Sequence, residues 1–156
     1  MNAQTAAQPN VVSALLPPSS NSDYRGSPAA PLFLGLVALL TLGPALVHSF
    51  LPDGGAQSIA GLSLDGAREV VIGVFRWEGA TQLALGLVLL AVAVRYRTLT
   101  AICLMAVFLE TGLSALQAWV LAPPSNGHHP PEHFGAAIMA PLSLAFLWLA
   151  ARRARA

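Results

Sequence analysis

Apolar residues run almost unbroken through four stretches of the chain, separated by short clusters rich in Gly, Pro, Asp and Arg. The first, Pro31 to Phe50, lies in a window from Arg25 to Asp53 with no charged residue between them. At about 1.5 Å of rise per residue it is long enough to cross a hydrocarbon layer of roughly 30 Å. Val70 to Val94 is the second stretch, with Arg76 and Glu78 near its start. Thr98 to Leu121 is the third, interrupted only by Glu110, and Phe134 to Ala151 is the fourth. In hydrocarbon each must be helical, because every backbone donor and acceptor needs a partner within its own segment. The alternation of a membrane barrel is missing. The pattern predicts an all-α fold, a polytopic membrane four-helix bundle over residues 31–151, preceded by a polar tail of residues 1–30 and followed by a basic tail of residues 152–156.

Composition agrees with that pattern. Of 156 residues, 55% are hydrophobic and 10% charged, and the mean hydropathy is +0.63; a soluble domain carries about 25% charged residues. Eight Arg, no Lys and seven acidic residues leave a net charge of +1, so there is no basic footprint for nucleic acid. A single cysteine, Cys103, excludes an internal disulfide framework, a Cys-rich zinc site and a CxxC redox pair, and is expected to be a small buried residue. With four crossings, Arg25, Arg95, Arg97, Arg152, Arg153 and Arg155 fall at one end and only Arg68 in a loop at the other. The positive-inside rule makes the first end cytoplasmic, with both termini inside. The outer loops, Leu51 to Glu69 and Ala122 to His133, carry Asp53, Asp65, Glu69, Glu132 and three histidines. Residues 1–30, centred on Pro17-Pro18-Ser19-Ser20-Asn21-Ser22, have no amphipathic period and are expected to form a disordered cytoplasmic tail. They lack the basic start and the apolar run of a secretory signal.

Ionisable groups inside spanning segments are expensive and usually face the bundle interior. Helical rise places Glu78 about 12 Å and Glu110 about 16 Å below the outer ends of their helices, in the same half of the bilayer. Glu78, Thr81 and Gln82 stand three and four apart on the second helix, as do Glu110, Ser114 and Gln117 on the third. Each set forms a polar stripe, and the two are expected to face each other. Thr41, His48 and Ser143 lie at depths that would complete a small polar chamber open toward the outer face. Arg76, two positions from Glu78 and about 200° round the helix, would reach Glu110 or snorkel to the interface. The candidate ligand-binding residues are thus Arg76, Glu78, Gln82, Glu110 and Ser114. The plainer account makes Arg76 and a glutamate a structural ion pair, with Thr, Ser and Gln as interhelical hydrogen-bond glue. The functional account makes the same groups a ligand or proton site, since two carboxylates near one cation cannot all stay ionised cheaply in low dielectric.

Other motifs carry less. His129-Pro130-Pro131-Glu132-His133 has the H-x-x-E-H spacing of inverted zinc proteases. That chemistry needs both histidines one turn apart on a helix, which Pro130-Pro131 forbids. A looser surface metal site at His128, His129 and His133 stays open, although an interfacial loop is the simpler account. Trp77, Trp119 and Trp148 sit near span ends, as interface anchors do. Gly79, Ala80, Ala84, Gly86 and Gly112 are small enough for close helix contact. In the first outer loop, Ile59, Leu62 and Leu64 could rest on headgroups as a surface helix, with Asp65 capping the second span.

Phe75-Arg76-Trp77-Glu78-Gly79 followed by Leu85-Gly86-Leu87-Val88-Leu89-Leu90, then Gly112-Leu113-Ser114-Ala115-Leu116, Pro123-Pro124 and Pro141, resembles an uncharacterised bacterial four-helix membrane family allied to DoxX-like proteins. The likeness covers residues 31–151 and implies a compact bundle in a bacterial inner membrane, loosely linked to respiratory or redox partners. It carries no role for Glu78 or Glu110. No nucleophile and base pair, phosphate-cradling glycine loop or closed metal shell can be identified, so an enzyme is not expected, and the residues name no cofactor. Two functions of different class follow. The first is a non-enzymatic accessory or scaffold module, partnered by the lipid bilayer and by a larger membrane complex or a second copy of itself. The alternative is a lipophilic-ligand or quinone-associated, redox-linked protein with a polar pocket between helices two and three. A small transporter acting as an oligomer comes third.

Overall fold

A computed structural model describes residues 15–152 of the chain. The four apolar stretches become helices α1 (Ala29–Phe50), α2 (Arg68–Arg95), α3 (Thr100–Leu116) and α4 (Pro131–Ala151). A short 3₁₀ turn, Arg97–Leu99, leads into α3, and a π turn, Gln117–Leu121, extends it. With those turns the third segment runs Arg97–Leu121, and all four are long and apolar enough to cross a membrane. There is no strand among the described residues.

The bundle is two helical hairpins held together by one helix. α1 packs along α2, and α3 along α4; between the hairpins α1 touches α4 and α3, and α2 touches α3, all sparsely. Glycine sets the closeness of the first pair. A Cβ on Gly79 would lie 2.8 Å from His48 Cβ and from Ser49 Oγ, and one on Gly86 would lie 2.7 Å from Leu42 Cγ. Without side chains at these two positions, the backbone of α2 can lie against α1, the way membrane helices gain contact area. Ala80 and Ala84 instead face outward, and Gly112 meets open space.

The packed core lies toward the arginine-rich end. Phe33, Leu34, Val37 and Ala38 of α1 meet Leu89, Val92 and Ala93 of α2 and Leu104 and Val107 of α3. Phe33 stacks on Phe146 of α4 with ring centroids 4.0 Å apart. Toward the opposite end the helices enclose cavities instead. That asymmetry positions the site.

Part of the polar tail is docked rather than loose. The last carbonyls of a helix lack partners within it, and residues of the tail supply them for α2. The Ser19 hydroxyl and the Ser20 N–H donate to the Arg95 carbonyl at 3.0 and 3.1 Å, and the Asn21 side-chain amide to that of Val94 at 2.7 Å. In return the Arg95 guanidinium and the Tyr96 hydroxyl donate to the Pro17 carbonyl at 3.2 and 3.1 Å. Thr98 Oγ1 donates to Ser20 Oγ at 2.7 Å, and the Ser27 N–H reaches the Leu149 carbonyl at 3.1 Å. Burial pushes the Tyr24 phenol above its ordinary range, with nearby Arg97 opposing. The expectation of a disordered tail is therefore corrected for residues 17–27, and α1 already begins at Ala29. Its remainder, residues 1–14, lies outside the described residues, as do residues 153–156.

The first long loop forms no surface helix. It winds into turns around Asp53, whose carboxylate accepts the N–H groups of Ser58 (2.7 Å), Gly55 (3.0 Å) and Gln57 (3.1 Å). Leu64 and Ala56 are buried beneath it, and Asp65 bonds Ser63 rather than capping α2. Those donors, Ser58 first, hold the Asp53 carboxyl down at about 2 against an ordinary 3.8. A carboxyl lowered on folding contributes its stability above its unfolded value and loses it as the pH falls through the folded one. The loop should therefore hold at pH above 3.8 and loosen as the pH approaches about 2. Hydrogen exchange at Gly55, Gln57 and Ser58 reads this directly. Asp53→Ala should show the loosened pattern at neutral pH, and unchanged protection there would refute the loop's dependence on the carboxylate.

Candidate functional site

Above the packed core, α1, α2, α3 and α4 leave a cleft of about 330 Å³. Its polar lining is Thr41 from α1, Glu78, Thr81 and Gln82 from α2, and Glu110 and Thr111 from α3; Val37, Leu40, Leu85, Leu89, Val107 and Met139 form the apolar walls. Glu78, Thr81 and Glu110 are exposed at its edge. Leu40 and Pro44 of α1 are exposed there too.

The hydrogen bonds in the cleft leave it short of donors. Each threonine hydroxyl donates back to its own helix: Thr41 to the Val37 carbonyl at 2.9 Å, Thr81 to that of Glu78 at 2.8 Å, and Thr111 to that of Val107 at 2.7 Å. The Gln82 amide donates to Glu78 Oε1 at 2.9 Å, while Gln82 Oε1 is buried with no partner. Pro44, which also lines the cleft, has no N–H to offer the Leu40 carbonyl one turn before it. What remains unengaged is mostly acceptor: the second Glu78 oxygen, the Glu110 carboxylate, Gln82 Oε1 and the Leu40 carbonyl, beside one free N–H of the Gln82 amide. No Arg, Lys or His lines the cleft. A group placed there must donate hydrogen bonds, carry positive charge, or both.

The cleft is not isolated. Glu78 and Gln82 also line a larger cavity of about 510 Å³ nearer the loops, with Pro44, Val47, His48, Ile59, Phe75 and Glu132. Glu78 lines a third cavity of about 400 Å³ with Asn126, His128, Glu132 and His133. The Glu78–Gln82 pair thus forms the wall between the cleft and the spaces under the loops.

Of the residues singled out in the sequence, the structure brings Glu78, Gln82 and Glu110 together and leaves Arg76 and Ser114 out. Arg76 is exposed on another side of α2, in a groove with Pro52, Arg68 and Glu69. It pairs with neither Glu78 nor Glu110: it is turned away from the first, and the second sits on a helix that α2 barely meets. Ser114 is half-buried farther along α3 and Gln117 begins the π turn; neither lines the cleft. Ser143 is fully buried with its hydroxyl unpartnered, and His48 bonds the Gly54 carbonyl at 2.6 Å in the larger cavity. The residue missed was Thr111. The spacing Val107, Glu110, Thr111 fits a helical face as well as Glu110, Ser114, Gln117 does, and only the packing of α3 on its neighbours decides between them.

The histidines of the second loop disperse. Among the described residues no three His, Cys, Asp or Glu side chains are placed to hold a metal ion. His128 Nε2 is bonded to the Ala60 carbonyl at 2.9 Å. His129 stacks on Trp119 at 4.0 Å and sits with Nδ1 3.0 Å from His133 Nδ1. Pro130, extended at the start of α4, keeps His129 off the helix. The three-histidine metal site left open by the sequence is therefore not assembled. The chain matches no family model, no curated protein and no solved structure.

Proposed function

We propose that this chain is a small multi-pass membrane protein that binds a lipophilic ligand through a hydrogen-bond-donating head, of the kind a reduced quinol or a protonated amine presents. One observation carries the reading: a cleft among apolar walls that no Arg, Lys or His lines, whose unengaged polar atoms are mostly acceptors, oxygens of two carboxylates among them, and which opens where Glu78 and Glu110 are exposed. A ligand dissolved in the bilayer reaches such an opening sideways, leaves its body among Leu40, Leu85 and Val107, and places its donors on Glu78, Glu110 and the Gln82 oxygen. The arginine-rich end faces the cytoplasm of a bacterial inner membrane by the positive-inside rule, and the DoxX-like resemblance supports the same setting.

Native mass spectrometry of the full chain in mild detergent tests this. A decyl quinol and a decylamine should be retained more than the matching decyl quinone, which offers acceptors only. Glu110→Gln should lower retention about tenfold or more, the loss of one charge-assisted contact, while Ser114→Ala leaves it unchanged. Equal retention by Glu110→Gln, or of quinone and quinol, would reject the reading. The accessory or scaffold reading draws on a different observation: the apolar window of α4 is only 17% buried within the chain. A stoichiometric protein partner in the same spectra would support it.

A further inference from the structure

We propose that the groove beside the start of α2 binds the phosphodiester of a membrane lipid, clamped between Arg68 and Arg76. The inference rests on the chain being embedded in a bilayer and not on the ligand assigned to the cleft.

The groove, about 340 Å³, is lined by Pro52, Arg68, Glu69, Ile72, Gly73 and Arg76. Arg68 opens α2, so it lies where the helix leaves the hydrocarbon, and Arg76 stands about 12 Å deeper by helical rise. On the flank that carries Arg76, the apolar part of the groove is Pro52, Ile72 and Gly73, and Arg76 itself is exposed. A guanidinium on such a flank is costly unless it turns up toward headgroups or meets an anion. No hydrogen bond or ion pair to Arg76 forms among the described residues. Both arginines line the groove, and a guanidinium fork matches phosphate oxygens in pairs.

Gly73 supplies a second line of argument. It lies between the two arginines, and a Cβ built on it would meet nothing within 4 Å. Packing against this chain therefore does not call for glycine, as it does at Gly79 and Gly86. Because Gly73 lines the groove, a larger side chain there would fill it without meeting the rest of this chain. Glu69, on the rim, accepts a headgroup amine where one is present and repels a doubly charged free phosphate.

The test uses the full chain purified in mild detergent, with phospholipid still bound per protein counted by native mass spectrometry after graded delipidation. Wild type should hold one phospholipid after bulk lipid is gone. Arg76→Gln and Arg68→Gln should each lower that occupancy about tenfold. Gly73→Leu, which keeps both charges but fills the floor, should do the same while leaving the thermal midpoint unchanged. Ser114→Ala should match wild type. Occupancy in Arg76→Gln or Gly73→Leu equal to wild type overturns the site. Displacement of the lipid by millimolar inorganic phosphate alone overturns the lipid assignment, since the groove would then be a free-phosphate site. Decyl quinol retention in Arg76→Gln is read alongside, so loss of the cleft reading and loss of this one are separate results.

Discussion

Gly79→Val is expected to destabilise the folded bundle by about 3 kcal/mol, at the upper end of what forcing methyl groups into a packed interface costs. A Cβ at this position meets His48 Cβ and Ser49 Oγ at 2.8 Å and the Ser49 backbone nitrogen at 3.0 Å. A side chain can rotate away, but the backbone of α1 cannot move without loosening the hairpin. The same displacement would widen the cleft and the cavity nearer the loops, because Glu78 and Gln82, which line both, flank Gly79 on α2. Gly79→Val should therefore lose ligand retention together with thermal stability. Gly112→Val serves as the comparison, since an added Cβ there meets nothing within 4 Å. Equal midpoints for the two variants, measured by thermal unfolding in detergent, would mean that α1 and α2 are not held at this distance in solution.

Leu34→Ala is expected to cost about 2 kcal/mol, and Leu36→Ala next to nothing. Leu34 is fully buried at the centre of the core, whereas Leu36, two residues on, is 51% exposed. In water both would lose transfer energy. In a bilayer the lipid tails are as apolar as leucine, so only the contacts and the unfilled space at Leu34 count. The pair of variants thus separates packing from hydrophobic transfer within one helix. Denaturant titration in mixed micelles checks it, and a similar loss in both would show that the outward face of α1 is covered by something other than lipid or detergent.

Much of this molecule was legible as text. Counted with the turns that flank α3, the four apolar segments end within three residues of the limits read from hydropathy, because whether a segment can sit in hydrocarbon depends on its own length and composition. Glu78, Gln82 and Glu110 were recognisable as polar groups at similar depth because helical rise converts position into height. The polar tail was misread over residues 17–27 because its partners, the open carbonyls of Val94 and Arg95, lie more than seventy residues away.

What the sequence by itself determined was the number and extent of the long apolar helices, each a property of one segment. Tertiary structure alone decided the pairing of α1 with α2 and of α3 with α4. It put Arg76 outside the cleft and brought Thr111 in where Ser114 was expected. It also turned a chamber expected to hold a cation into one that no Arg, Lys or His lines. The physical reason is that a helix offers several faces of similar polarity, and which one turns inward depends on where its neighbours come closest, as Gly79 and Gly86 allow α1 to do.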